Sequence, residues 1–213
     1  MNIETETRQA HWDRVYEDRT ATDVSWYERE PIASLVLIRT SGIRKSDPII
    51  DVGGGASYLV DKLLHLGFQD LSVLDISSAV LRTLGSRLGA RASSVALLPA
   101  DVTTFVPARR YGLWHDRAVF HFLTDLEDRR AYVCTLKAAL KPAGQVIIAT
   151  FGPQGPQKCS GLAAARYDAE ALSAELGDEF SLLESSLHEH LTPTGTPQQF
   201  LYCRFSHRED PSS

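Results

Sequence analysis

Ten residues near the middle of the chain, WHDRAVFHFL (114–123), set two histidines, an aspartate and an arginine among Trp, Val, Phe and Leu. Charge in such surroundings is costly unless it is paired or has a chemical task. Asp116 and His121 are acid–base types, and the Arg117 guanidinium suits a carboxylate. His115 has the alternative of a hydrogen-bonded core histidine. His115, Asp116 and His121 also offer metal-ligating atoms, but their spacing matches no metal motif, and no metal is expected.

A second stretch, IIDVGGGAS (49–57), places Asp51 before Gly53, Gly54 and Gly55. Glycine lets the backbone turn sharply and approach a ligand that a side chain would push away. A dinucleotide fingerprint would need a further glycine where Tyr58 stands, which disfavours an NAD(P)-dependent oxidoreductase. Asp75 follows at close to the spacing, ~20 residues, at which an acid meets the two hydroxyls of a ribose. Asp101 could accept from an adenine amino group, with Ile76 and Val102 as apolar walls. Each acid alone could be a strand-end turn former; three at successive strand ends imply an adenosine.

Those ends require a particular frame. From residue 49, short β-rich runs alternate with helical patterns, as in an α/β domain with a mainly parallel sheet. PIIDV, LSVLD, SVALLPA, YGLWH and QVIIATF read as five strands. YLVDKLLHL aligns Leu59, Leu63 and Leu66 on one helical face, and Val80, Leu81, Leu84 and Leu88 align in the next helix. Thr124 and Glu127 form a capping-box pattern before AYVCTLKAAL. KPAG reads as a turn, residues 152–161 as a loop, and 168–176 as a helix. FSLLESSLHE and QQFLYCRF form a closing hairpin. Residues 6–18 and 32–40 look helical, so 1–40 is expected to cover the sheet of a single domain spanning 1–213; TATD (20–23) suggests a hinge for a moving lid.

Composition sets bounds. A chain of 213 residues with 43% hydrophobic and 23% charged residues suits one soluble domain, and no run is apolar enough for a membrane helix. The polar start lacks a secretory pattern, so the cytoplasm is the expected location. A net charge of −5 argues against a nucleic-acid partner. Cys134, Cys159 and Cys203 have neither disulfide-framework nor zinc-site spacing.

In order, IIDVGGGAS, SVLDIS, PADV, YGLWHDRAVFHFL and LKPAGQVIIATF resemble the class I S-adenosylmethionine-dependent methyltransferases over roughly residues 45–152. The resemblance implies a doubly wound, Rossmann-like, mainly parallel seven-stranded sheet ordered 3-2-1-4-5-7-6 with an antiparallel last strand. It implies that Asp51 and the glycines hold the methionine portion of S-adenosyl-L-methionine, Asp75 the ribose, and Asp101 with Val102 the adenine. Ser57 stands where many members have a third alternate glycine, and Ala143 replaces glycine in the usual LKPGG.

Residues 11–88 are also similar to methyltransferase-like enzymes that act on protein lysines, including those of elongation factors. This suggests that Trp12, Tyr16, Trp26 and Tyr27 lie near the cofactor, although these aromatics could equally pack the N-terminal cover. The lysine enzymes carry an Asp-Lys-Gly-Thr pattern and a further acid after strand 4. Here only Asp116 is kept, followed by Arg117, Ala118 and Val119, and VFHFL resembles the VLHHL of small-molecule enzymes.

The expected function is therefore S-adenosylmethionine-dependent methyl transfer, with a small-molecule acceptor favoured over a protein lysine. A non-catalytic adenosine-ligand binder is the remaining alternative. Asp116 and Arg117 are expected at the methionine end of the cofactor, and Tyr16, Asp116 and His121 are the acid–base or positioning candidates.

Overall fold

The computed structural model describes residues 7–18 and 24–208. The TATD hinge expected at 20–23 lies outside the described residues. Five parallel strands build the frame: β1 (Ile49–Val52), β2 (Leu71–Asp75), β3 (Val95–Pro99), β4 (Tyr111–Arg117) and β5 (Leu140–Phe151). A two-stranded hairpin, β6 (Lys158–Cys159) and β7 (Leu162–Ala163), follows; then β8 (Phe180–Leu191) and β9 (Pro197–His207) complete the main sheet. Its order is β3-β2-β1-β4-β5-β9-β8, with β9 antiparallel to both neighbours. Counted within the main sheet alone, this is 3-2-1-4-5-7-6, as expected. The helices are α1 (Arg8–Asp18), α2 (Ile32–Thr40), α3 (Leu59–His65), α4 (Ser78–Leu88), α5 (Leu126–Ala139) and α6 (Ala169–Leu176).

The central strands are buried on both faces, which is why they read as continuous apolar runs. One face packs Ile50, Val52, Trp114 and Ile148 with α5 and α6. The other packs Ile49, Val73, Leu113 and Ile147 with α2, α3 and α4. Val80, Leu81, Leu84 and Leu88 are all buried, and Ser77 caps α4 by accepting from the Val80 N–H. In α3, Leu59 and Leu63 are buried, whereas Leu66 lies beyond the helix and is exposed.

Three local expectations are corrected. The Thr124–Glu127 capping box does not form: α5 starts behind Asp125, the Thr124 carbonyl accepts from Arg129, and Glu127 pairs with Arg130 at 2.8 Å. The KPAG turn is a bulged start of β5. Tyr111 pairs with Leu140, the register then breaks, and Ala143 takes φ 57. The 152–161 loop contains β6, and Ser160 and Gly161 (φ 48 and 82) form the tight connection to β7.

Candidate active site

Strands β1 and β4 lie side by side at the point where the strand order reverses, the usual position of a ligand crevice in such sheets. Two adjoining cavities occupy it. The larger, of about 660 Å³, lies against Gly53, Asp75, Ile76, Asp101 and Val102 on the sheet side and the aromatics of α1 on the other. The smaller, of about 440 Å³, lies against Asp51, Gly54, Ser34, His115 and Glu28. They share Trp26, Val52, Gly53 and Arg117.

The turn after β1 has no room for side chains. Gly53 has φ 69, and a Cβ there would collide with Val119. One on Gly54 would strike the Asp51 carboxylate, and one on Gly55 would strike Val80. Asp51 is buried; its Oδ1 lies 2.7 Å from His115 Nδ1, while Oδ2 has no partner. A buried carboxylate oxygen left unpaired beside a cavity fits a cationic ligand group.

Asp75 lies at the larger cavity, accepting from the Gly55 N–H at 3.1 Å and the Ser77 N–H at 2.9 Å. Burial, partly offset by these donors, pushes its pKa up to about 6. Asp101 Oδ1 accepts from the Thr103 backbone N–H and hydroxyl, and its Oδ2 pairs with Arg8 at 3.1 Å. Arg8 reaches on to Asp128, so this acid also fastens α1 over the cavity. Trp12, Tyr16, Trp26 and Phe122 form an aromatic wall, with Trp12 edge-on to Phe122 at 5.0 Å and to Trp26 at 5.7 Å. Burial, and then the Asp75 charge, hold the Tyr16 hydroxyl well above its ordinary pKa.

The opening decapeptide is divided differently from the expectation. β4 continues through Arg117, so its pleat sends Asp116 to the face opposite His115 and Arg117. Asp116 is completely buried away from both cavities, accepting from Tyr132 at 2.7 Å and from the Val119 N–H at 3.0 Å. Burial pushes its pKa up to about 6. It shapes the Ala118–Val119 turn that closes on Gly53.

His121 is also completely buried, stacked on Phe151 with ring centroids 4.2 Å apart. Its Nδ1 accepts from the Phe151 N–H at 3.3 Å, and burial with the Arg117 charge lowers its pKa to about 3. It lines neither cavity. Arg117 lines both, but it donates to the Tyr202 hydroxyl at 2.9 Å and the Trp26 carbonyl at 2.7 Å, and pairs with Glu28 at 2.9 Å. It therefore fastens the segment after α1 rather than presenting a free guanidinium.

Sequence reasoning did not find Arg8, Ser34, Glu28, His190 or Tyr202. Glu28 sits between Arg117 and His190; burial opposes its charge, but those two partners hold its pKa below the ordinary value. Arg8 and Ser34 lie in helices, Glu28 in the segment between α1 and α2, and His190 and Tyr202 on the last strands, and none carries a motif. Ala118 did have a signal. It stands where the lysine-enzyme pattern has glycine, and its φ is 70.

The sheet order, with the crevice beside β1 and β4, defines the fold of the S-adenosylmethionine-dependent methyltransferases. The structure superimposes on an S-adenosylmethionine-dependent methyltransferase from Anabaena variabilis with a TM-score of 0.74 at 17% identity, covering 95% of this chain and 96% of that one. It matches the N-methyltransferase NodS of Bradyrhizobium japonicum, crystallised with S-adenosylhomocysteine, with a TM-score of 0.70 at 19% identity over 92% and 98% of the two chains. These likenesses are of fold. In sequence, the chain is 27% identical over 93 residues to the mouse eEF1A lysine and N-terminal methyltransferase, a match covering 44% of this chain and only 13% of that protein. The bovine protein matches at 26%. No protein-family profile matches.

Proposed function

We propose that this chain is an S-adenosylmethionine-dependent methyltransferase acting on a small-molecule acceptor. The observation that carries the proposal is the paired cavity. An unpartnered carboxylate oxygen of Asp51 stands at one end, Asp75 and Asp101 stand at the other, and a side-chain-free turn at Gly53 joins them. In this reading the smaller cavity takes the amino-acid end of the cofactor and Asp51 receives its ammonium. Asp75 receives the ribose hydroxyls, and Ile76, Val102 and Asp101 border the adenine.

The bound sulfonium supplies a methyl group already activated for in-line displacement. The protein's tasks are then alignment and exclusion of water. Trp12, Tyr16, Trp26 and Phe122 form a wall suited to both, against the apolar body of an acceptor. Tyr16, held protonated, positions rather than accepts a proton. Asp116 and His121, expected at the chemistry, serve packing and turn geometry.

Tyr58 weighs against a nicotinamide cofactor. Arg87 lies 4.1 Å over its ring, filling the position where a pyrophosphate site needs glycine. The small-molecule preference rests on the enclosed aromatic wall and on the loss of the second acid of the lysine-enzyme pattern. Incubation with methyl-labelled S-adenosylmethionine and a fractionated cell extract tests it. Label in the small-molecule fraction is expected; label in protein would select the lysine reading, and binding without transfer a non-catalytic role.

A further inference from the structure

Asp51 is held by more than the glycine turn. From its Oδ1 a chain of hydrogen bonds runs into the buried core: to His115 Nδ1 at 2.7 Å, and from His115 Nε2 to Ser34 Oγ at 2.9 Å. Asp51, His115 and Ser34 are all buried. The donors run in one direction if the imidazole is neutral with its proton on Nδ1. Ser34 then donates to His115 and His115 to Asp51. Every donor in this chain finds an acceptor. The one open valence is Asp51 Oδ2, beside the smaller cavity.

We infer that His115 and Ser34 are positioning residues that hold the Asp51 carboxylate with Oδ2 presented to the ammonium of the cofactor's amino-acid end. The inference rests on the methyltransferase reading above and adds how its first acid is oriented. The groups also match the order of an Asp-His-Ser hydrolytic triad. Ser34, however, is fully buried inside α2, unlike the exposed nucleophile that such a triad requires.

Two ligands separate positioning from mere support of the fold: S-adenosylhomocysteine, which carries the amino-acid end, and 5′-methylthioadenosine, which lacks it. Calorimetry on wild type, His115→Leu and His115→Asn is the test. His115→Leu should weaken S-adenosylhomocysteine by roughly tenfold, as expected for losing the orientation of a charged hydrogen bond, while 5′-methylthioadenosine binding changes by less than about twofold. His115→Asn, whose amide can replace the Nδ1 donor, should recover most of the loss. Ser34→Ala should produce a smaller loss with the same selectivity, and it serves as the test if His115→Leu does not fold. Equal weakening of both ligands, or of neither, overturns the inference while leaving the cofactor assignment standing. A wild-type protein that binds neither ligand overturns both.

Discussion

Asp75 faces the larger cavity with its pKa raised to about 6. Because this lies above its unfolded value near 3.9, the group's contribution to stability is complete below about pH 4 and is lost as pH rises through about 6. Ligand binding has the opposite sign, since ribose hydroxyls donate best to the ionised carboxylate. Affinity for S-adenosylhomocysteine should therefore fall as pH drops below about 6, and Asp75→Asn should flatten that dependence in calorimetry. Asp75→Ala should raise the dissociation constant at pH 7.5 by at least about tenfold without lowering Tm. His121→Ala is expected to do the reverse. Removing a ring stacked on Phe151 should cost ~2 kcal/mol, or roughly 4–8 °C in Tm, with cofactor affinity retained. Unchanged melting with lost turnover would return His121 to the chemistry. The acids at the strand ends were legible because type and spacing sufficed to place them. The split between Asp116 and Arg117 was not: β4 runs two residues past the expected YGLWH, and its pleat sends the two side chains to opposite faces.

The connections between elements carry the next prediction. Ala118 and Ala143 have φ of 70 and 57, where only glycine is unstrained. Ala143 is exposed in the bulge that starts β5. Ala143→Gly should stabilise by ~0.5–1 kcal/mol, the relief of strain exceeding the added chain entropy, and thermal melting checks it. No change would mean that the bulge relaxes without strain. The missing glycine of LKPGG was visible in the sequence; the positive φ that gives it meaning was not. The strands and α4 were legible because their periodicity is uninterrupted. The capping box failed because the helix starts one residue later, behind Asp125, with the Thr124 N–H given to the Phe122 carbonyl and Glu127 paired to Arg130, contacts that spacing does not reveal. The N-terminal cover is fastened by Arg8 on Asp101 and by Arg117 on Glu28 and the Trp26 carbonyl. Ligand binding should slow amide exchange in 8–18 and 24–30 if this cover closes over the cofactor. Exchange equally slow with and without ligand would mark it as a fixed layer.

Across the molecule, two apolar layers hold one sheet whose strand order opens a crevice at β1 and β4, and Asp51, Asp75 and the glycine turn border that crevice. Asp51 keeps one oxygen unpaired there, Asp75 keeps an elevated pKa, and the glycine turn keeps its backbone bare. The central claim is that this crevice holds S-adenosylmethionine. Titration of the wild-type protein with S-adenosylhomocysteine, and separately with NAD, tests it most directly. Saturable binding of one S-adenosylhomocysteine per chain, weakened in Asp75→Ala, with no heat from NAD, is the predicted result; binding of NAD, or an S-adenosylhomocysteine affinity indifferent to Asp75, would contradict it.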